Sequence, residues 1–403
     1  MSVDPRGARS GRARAAVRVL VLAPFARGLG HGGSQRATAV AERLEERGVA
    51  VDWQLAARRT PTAARKLRAL SRRRPLLAEL YGPMCRRFGG DPDAVLIAHS
   101  YLVPAAASLA RGVPRIVDFH NLEWCHLADG TGSGRVGAGI VRAAYVRRQV
   151  ELMRRLECSI VAGSDLSLFV SEDEHRWARD EVPGASTLRV GSVLPRSAEQ
   201  AAAAISRRRD PRRGELAYVG TLTFPTNLAS LERFLATAWP AMRAAAPNLN
   251  LTIAGACGRE DRARLERHPG VSTLGFVPDL TPLLARCDAA VMPFDGFAGT
   301  SLRALFYALA GVPVIGSPLA FRGIDFPAGI VAHDPAGWAA AISQISEEPA
   351  AVLAIPRDAR LRARAHQDDP RPWDRLRAAI DDLSGSEDCV SAGTPAAGAG
   401  IMR

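Results

Sequence analysis

The chain has 403 residues, of which 47% are hydrophobic, and this is enough for about two ordinary domains with apolar cores. Its formal net charge of +12 comes almost wholly from arginine, since Lys66 is the single lysine, and its six cysteines include no Cys-x-x-Cys pair. The cysteine spacing argues against a disulfide scaffold and a zinc site. No apolar run approaches the roughly 20 residues that cross a bilayer, so we expect a cytoplasmic protein.

The first half of the chain alternates apolar strands with helices after a basic tail, residues 1–16, that we expect to be disordered. A glycine-rich loop at 24–34 separates the first predicted strand from a helix at 35–47. The stretch that follows Ser164 is predicted to be helical. The strands of this half are predicted at 17–23, 49–55, 94–98, 115–118 and 160–162, and the domain is predicted to close near 188–190. These elements predict an N-terminal domain over residues 17–191.

The second half repeats this alternation after a linker of low order at 192–214. We predict a C-terminal domain at 215–362, a helical segment at 363–384 with a helix at 373–383, and a disordered tail at 385–403. The strands of the second domain are predicted at 215–219, 249–254, 271–274, 289–292, 314–315 and 330–332. Both halves therefore predict an α/β fold with two Rossmann-like, doubly wound parallel sheets that face each other across a cleft.

One strand–loop–helix–strand unit, residues 289–315, is a candidate phosphate site. Thr300 and Ser301 are residue types preferred at the N-cap of a helix, and they directly precede the predicted helix. Gly311 is placed to end that helix. Free backbone N–H groups and the positive dipole end at such a helix start attract anions. From this unit alone, an ordinary crossover without a ligand is an equal alternative.

The basic segment 56–90 also has two readings, because leucines alternate there with arginines. Such a segment can lie on an anionic membrane surface or cover an acceptor cleft, and it can equally form surface helices packed on the sheet. The positive charge alone would also suit a nucleic-acid-binding protein, but the basic clusters lack the interleaved aromatic residues of a base-stacking surface. We therefore expect no nucleic-acid partner.

Taken in order, the motifs resemble those of retaining, nucleotide-sugar-dependent glycosyltransferases of the GT-B fold, family 4, also described as glycosyl transferases group 1. The resemblance spans about residues 17–380. The segments that carry it are GHGGSQRATAVAERLEERGVAVD, DFHNLEW, YVGTLTFPTN, LTIAGACG, GVSTLGFVPDLTPLLARCDAAVMPF and GTSLRALFYALAGVPVIGSPLAFRG. It implies transfer of a sugar from a nucleoside-diphosphate sugar to an acceptor hydroxyl, with retention, no tightly bound cofactor and no required metal.

The same resemblance implies roles for individual residues. His120, between Asp118 and Glu123, matches the histidine near the reacting sugar, and His99 and Glu123 are candidates on the acceptor side. The residues implied to bind the donor are Gly32, Gly33, Gly220, Thr221, Phe276, Val277, Gly299, Thr300, Ser301, Leu302 and Arg303. The implied partners are a nucleotide sugar and a saccharide, lipid-linked or small-molecule acceptor.

Two positions of the second domain differ from the residues usual in this family and bear on how the nucleotide would be bound. Arg303 stands where the family often has lysine, and its permanently charged guanidinium can bind diphosphate oxygens with two donors. Phe306 stands where the family usually has a glutamate that binds the nucleotide ribose, and a phenyl ring accepts no hydrogen bond from a hydroxyl. The alternative is therefore a catalytically impaired GT-B protein that acts as the partner of an active transferase.

Overall fold

The computed structural model describes residues 17–28, 32–84, 91–109, 111–132, 140–295, 302–347 and 349–385. At 129–132, 140–142, 346–347 and 349–355 it describes the backbone alone. Within this part of the chain, each half contains one six-stranded sheet in which all neighbouring strands are parallel. The predicted α/β fold with two doubly wound parallel sheets is confirmed.

The first sheet has the strand order β2-β1-β3-β4-β5-β6. Its strands are β1 (Arg18–Ala23), β2 (Ala50–Leu55), β3 (Ala94–Ala98), β4 (Arg115–Phe119), β5 (Leu166–Phe169) and β6 (Thr187–Arg189). The helices of this half are α1 (Gly32–Glu45), α2 (Ala63–Ser71), α3 (Leu76–Glu79), α4 (Val103–Ala106), α5 (Glu123–Gly132), α6 (Ile140–Gly163) and α7 (Glu172–Glu181). A short 3₁₀ helix covers Ser100–Leu102.

The second sheet has the strand order β12-β11-β10-β7-β8-β9. Its strands are β7 (Glu215–Val219), β8 (Asn250–Ala254), β9 (Val271–Gly275), β10 (Ala289–Met292), β11 (Val314–Gly316) and β12 (Ile330–Val331). The helices that follow β6 are α8 (Arg196–Arg207), α9 (Pro225–Ala245), α10 (Arg259–Leu265), α11 (Thr281–Arg286), α12 (Leu302–Ala310), α13 (Pro335–Glu347), α14 (Pro349–Asp368) and α15 (Arg371–Gly385). A second 3₁₀ helix covers Pro318–Phe321.

Burial on both faces explains why the central strands are continuous apolar runs. All five residues of β3, with the sequence AVLIA, are buried, and so are all four residues of β10, AAVM. Such strands are typical of parallel sheets covered by helices on both sides. Because every strand of a parallel sheet ends at the same edge, the loops that follow the strands meet there.

The strand predicted at 160–162 is wrong. Residues 160–162 belong to the last turns of α6, where Ile160 and Val161 are buried in the first core. The fifth strand is β5 (Leu166–Phe169), inside the stretch that we expected to be helical, and the helix α7 starts only at Glu172. A short apolar run does not by itself distinguish a helix from a strand.

The segment 192–214 differs from the low order that we expected, because α8 forms there. Its buried residues Ala198, Ala202 and Ile205 recur at helical spacing and pack in the core with Leu305 of α12. At the other end of the chain, α15 returns to the first sheet, where Trp373 packs with Val19 of β1. The domain boundaries themselves remain predictions.

None of the helices in the described part of the chain is long and apolar enough to span a bilayer.

Candidate active site

Two histidines lie side by side at the carboxyl edge of the first sheet. His99 directly follows β3 and His120 directly follows β4, and these strands are neighbours in the sheet. The pairing brings the two imidazole centroids to 4.0 Å, and both side chains are buried. The sheet register therefore unites the residue predicted to be catalytic with one predicted on the acceptor side.

A buried carboxylate, that of Asp118, lies beside His120. The Nε2 atom of His120 lies 3.0 Å from Oδ2 of Asp118. Burial lowers the pKa of His120 to about 4, with a further lowering from His99 and an opposing contribution from Asp118. The ring is consequently neutral near pH 7, and the nearby carboxylate favours the tautomer that carries the proton on Nε2.

Arg36 of α1 neutralises Asp118. Its Nη2 donates to Oδ1 of Asp118 at 2.7 Å, and its Nε donates to Oδ2 at 3.1 Å. Burial acts to raise the pKa of Asp118, but Arg36 and His120 outweigh burial and hold that pKa well below its usual range. Arg36 also donates to the backbone carbonyls of Val190 and Gly191, where the chain leaves β6.

His99 has contacts that no pattern in the sequence indicated. Its backbone φ is +88°, a left-handed conformation that is uncommon for a residue with a side chain. Its Nδ1 lies 3.4 Å from Oε1 of Glu123, and its ring stacks on Tyr101, which in turn stacks on Tyr81. The predicted acceptor-side residues His99 and Glu123 are thus in direct proximity.

The glycine-rich loop reaches the same place. Gly32 and Gly33 are the first residues of α1, which extends for fourteen residues. A Cβ atom added at Gly33 would lie 2.9 Å from the ring of Phe25 and 3.2 Å from Nε2 of His99. A side chain here would have to displace the ring of Phe25, and the start of α1 with its backbone N–H groups lies beside His99.

In the second domain, Arg303 lies at the carboxyl end of β7. Its Nη1 donates to the carbonyl of Val219 at 2.9 Å, and its guanidinium lies over the ring of Phe294 at 4.3 Å. A Cβ atom added at Gly220 would lie 2.6 Å from Nη1 of Arg303 and 2.9 Å from Oη of Tyr218. Gly220 and Arg303, both predicted donor residues, are therefore adjacent.

The other predicted donor residues occupy loops of the second sheet. The carbonyl of Thr221 accepts a hydrogen bond from Nδ2 of Asn227 at 2.9 Å. Phe276 follows β9 and is 76% exposed, whereas the next residue, Val277, is half-buried. Leu302 begins α12 and packs partly buried against the core. The predictions for Gly299, Thr300 and Ser301 lie outside the described residues.

The side chain of Phe306 is partly buried rather than fully exposed to solvent. It is partly buried against the core beneath α12, with its ring centroid 6.0 Å from that of Tyr307. It lies one turn after Arg303 on the same helix. Its place is consistent with a packing role beside a cationic residue.

Two buried glutamates that we did not predict support the histidine loops. Glu157 of α6 accepts hydrogen bonds from Ser100 and from the backbone N–H groups of Glu123 and Trp124. Glu174 of α7 accepts from the backbone N–H of Leu122 at 3.1 Å. Burial raises the pKa of Glu157 to about 8 and also raises that of Glu174.

A sequence signal existed for three of the missed residues. Arg36 lies on the apolar stripe of α1 with Val40 and Leu44, and Glu157 lies four residues from both Met153 and Val161. A charged residue within a buried helical stripe needs a partner inside the fold. Asp118 shows the same signal, because it interrupts an apolar strand.

The described residues contain no group of three or more His, Cys, Asp and Glu side chains arranged to hold a metal ion. The prediction that no metal is required stays a prediction.

Comparison with known proteins agrees with this architecture. Residues 213–348 match the family model described as glycosyl transferases group 1. A sucrose-phosphate synthase structure from Thermosynechococcus elongatus superposes with a TM-score of 0.66 and 15% identity, covering 92% of this chain and 100% of that one. The fold is GT-B. The HepE protein of Anabaena, solved with UDP and glucose, is also similar, with a TM-score of 0.60 and 11% identity over 91% of this chain and all of that one.

The chain is also similar in sequence to a curated glycosyltransferase. The glycogen synthase of Mycobacterium tuberculosis is 29% identical over 307 residues, which cover 70% of this chain and 67% of that protein. Together the matches support membership of the glycosyltransferase superfamily that uses nucleotide sugars.

Proposed function

We propose that this GT-B protein is a retaining glycosyltransferase of family 4. It transfers a sugar from a nucleoside-diphosphate sugar to an acceptor hydroxyl, in saccharide, glycolipid or glycosylated-metabolite biosynthesis. The observation that carries the proposal is the position of Arg303, which is fixed between the Val219 carbonyl and the Phe294 ring at the carboxyl edge of the second sheet. Ligands of doubly wound sheets bind at that edge.

Arg303 and the start of α1 would bind the donor diphosphate. When the bond between the sugar and the diphosphate breaks, the leaving group takes the electron pair and gains negative charge. The guanidinium of Arg303 and the backbone N–H groups at Gly32 and Gly33 are suited to stabilise that charge without a metal ion. Gly220 leaves the room that Arg303 needs. Thr221 and the predicted residues 299–302 would complete the diphosphate site.

The nucleoside would lie against the loop after β9. Phe276 is a large apolar side chain that is 76% exposed at the carboxyl end of a strand, and Val277 follows it. An aromatic face in that position can stack on a nucleobase.

On the first domain, His120 would contact the reacting sugar. Its Nε2 lies 3.0 Å from Asp118, and its Nδ1 is buried without a hydrogen-bond partner in the described part of the chain, so Nδ1 of the neutral ring would accept a hydrogen bond from a sugar hydroxyl that reaches it. His99 and Glu123 would lie on the acceptor side, where the Glu123 carboxylate can accept a hydrogen bond from the incoming hydroxyl.

Nucleotide binding tests the proposal directly. Calorimetry of the full chain with UDP, GDP, ADP and dTDP should show preference for one nucleotide. Arg303→Ala should weaken that binding by roughly 10- to 100-fold, because a charge-assisted contact to phosphate is lost. Arg262→Ala, which removes an exposed arginine of the same domain, is the matched control and should bind like the wild type. Absence of binding at millimolar concentration would contradict the donor site.

The alternative, an impaired GT-B protein that partners an active transferase, is favoured by Phe306. Its side chain offers no acceptor for ribose hydroxyls and is partly buried in the core. Slow hydrolysis of the donor sugar in the absence of acceptor separates the two candidates. A protein that binds the nucleotide but neither hydrolyses nor transfers the sugar would support the alternative.

We further propose that the basic segment 56–90 contacts the membrane at its inner face. Helix α2 exposes Leu67, at 70%, and Leu70 beside Lys66 and Arg68. Exposed leucines among cations are typical of helices that lie in an anionic lipid interface. In the described part of α2, Ala69 alone is buried.

Vesicle flotation tests this contact. The chain should float with vesicles that contain phosphatidylglycerol and much less with pure phosphatidylcholine. Leu67→Glu should reduce flotation, whereas Leu361→Glu, a change at a leucine that is 65% exposed on α14, should not. Equal flotation of both variants would contradict the membrane contact and would favour the alternative, in which the segment forms surface helices packed on the sheet.

A further inference from the structure

A single carboxyl group, that of Glu157, joins the two loops that carry His99 and His120. Glu157 lies on α6 and is fully buried. Its Oε1 accepts from Oγ of Ser100 at 2.6 Å and from the backbone N–H of Glu123 at 3.1 Å. Its Oε2 accepts from the backbone N–H of Trp124 at 3.2 Å. One side chain thus holds the loop after β3 and the loop after β4 together.

Both ends of this connection are next to the histidines. Ser100 directly follows His99, whose φ of +88° is uncommon for a residue with a side chain and persists only when its surroundings hold it. Glu123 and Trp124 open α5, three residues beyond His120, and Glu123 also contacts His99. A change in the position of the Glu157 carboxyl therefore reaches both imidazole rings.

We infer that Glu157 is a positioning residue that sets the 4.0 Å spacing of His99 and His120. It does not touch the substrate. Its importance for sugar transfer rests on the proposed function, whereas its effect on the two rings can be measured without any substrate.

The surroundings of Glu157 support this role. Met153 and Val161, one turn before and one turn after, are fully buried and fix that face of α6 in the first core. The carboxyl also faces the N-terminus of α5, where backbone N–H groups lack partners within the helix. Three donors converge on two oxygens. Each oxygen of a carboxyl group can accept a hydrogen bond in either protonation state, whereas the NH₂ nitrogen of a carboxamide accepts none and turns a donor toward one of the three.

Imidazole ¹⁵N NMR of the full chain tests the inference. Of the eight histidines, His99 and His120 are assigned from the signals lost in His99→Gln and His120→Gln. Glu157→Gln should shift the His99 and His120 signals and leave unchanged those of His268 and His333, which lie in the second half of the chain. Glu151→Gln makes the same chemical change at an exposed position of α6 and should shift neither. Unchanged signals in folded Glu157→Gln would overturn the inference.

A second variant covers the case in which Glu157→Gln does not fold. Ser100→Ala removes one of the three donors and leaves the carboxyl and both backbone bonds in place. It should shift the His99 signal most, because Ser100 is its direct neighbour. A folded Ser100→Ala variant with wild-type His99 and His120 signals would also overturn the inference.

Transfer kinetics then separate this inference from the proposed function. Glu157→Gln should lower kcat by roughly tenfold and leave the KM for the donor sugar close to the wild-type value, since the donor contacts are on other elements. If the histidine signals move but the wild type transfers no sugar, the proposed function fails and the positioning role stands. If the wild type transfers sugar and Glu157→Gln does so equally well, the positioning role fails.

Discussion

Arg36 and Asp118 form an ion pair that solvent does not reach, with the arginine 3% exposed and the carboxylate fully buried. The guanidinium also donates to the carbonyls of Val190 and Gly191. It therefore links three parts of the first domain: the helix that begins at Gly32, the strand that precedes His120 and the end of β6. The pair gives His120 an ionised acceptor inside an apolar sheet.

Loss of one partner of this pair should be costly. Arg36→Met keeps an unbranched aliphatic side chain but leaves Asp118 buried without its cation, and we expect the free energy of unfolding to fall by about 3–5 kcal/mol. Urea unfolding followed by circular dichroism measures the change. Arg155→Met removes one partner of the exposed Arg155–Glu151 pair and should cost under about 1 kcal/mol. Similar decreases in the free energy of unfolding in both variants would show that the buried Arg36–Asp118 pair contributes no more to stability than an exposed pair.

The low pKa of His120 predicts how stability depends on pH. Its folded value is about 4, below the ordinary value of about 6.5, so the unfolded chain binds more protons between these values. The stability of the wild type relative to His120→Gln should therefore be constant above pH 6.5. It should fall, by on the order of 2–3 kcal/mol, as the pH decreases toward 4. Unfolding free energies of both proteins across this window measure it, and a difference independent of pH would contradict it.

Gly220 should be needed for the position of Arg303. A Cβ atom in Gly220→Ala would lie 2.6 Å from Nη1 of Arg303, so the guanidinium that donates to the Val219 carbonyl must shift. We expect UDP affinity in calorimetry to fall by about tenfold, with only a small change in Tm. Gly163→Ala, where an added Cβ meets nothing within 4 Å, is the matched control. Unchanged affinity in Gly220→Ala would show that Arg303 does not need this position.

The sequence was sufficient to predict the fold because the signals involved are local. Apolar strands, glycines after helices and helical spacing predicted ten of the twelve strands close to their observed bounds, and the strands not predicted are β5 and β6. The strand wrongly predicted at 160–162 lies where the buried stripe of α6 ends in adjacent apolar residues, Ile160 and Val161, which also suit a strand. The observed strand β5, with the sequence LSLF, was not predicted because the helical pattern of α7 follows it closely and was extended over it.

The site was predictable only in part, because its supporting contacts join distant parts of the chain. His99, His120 and Glu123 follow or adjoin strand ends and could be found by position. The partners that fix them are remote: Arg36 is 82 positions from Asp118, and Glu157 is 57 positions from Ser100. Spacing along the chain does not specify such pairs, although a charged residue in an apolar stripe indicates that a partner exists.

Phe306 provides the sharpest test of what binds near Arg303. In Phe306→Glu, a carboxylate replaces a partly buried ring, so we expect stability to fall by about 1–3 kcal/mol. If the nucleotide ribose lies at this position, the new carboxylate accepts hydrogen bonds from its hydroxyls, and UDP affinity should rise by about tenfold. Phe306→Ala removes the same ring without adding an acceptor, and its affinity should not rise. Equal affinities of the two variants in calorimetry would show that the ribose is held elsewhere and that the phenylalanine serves packing alone.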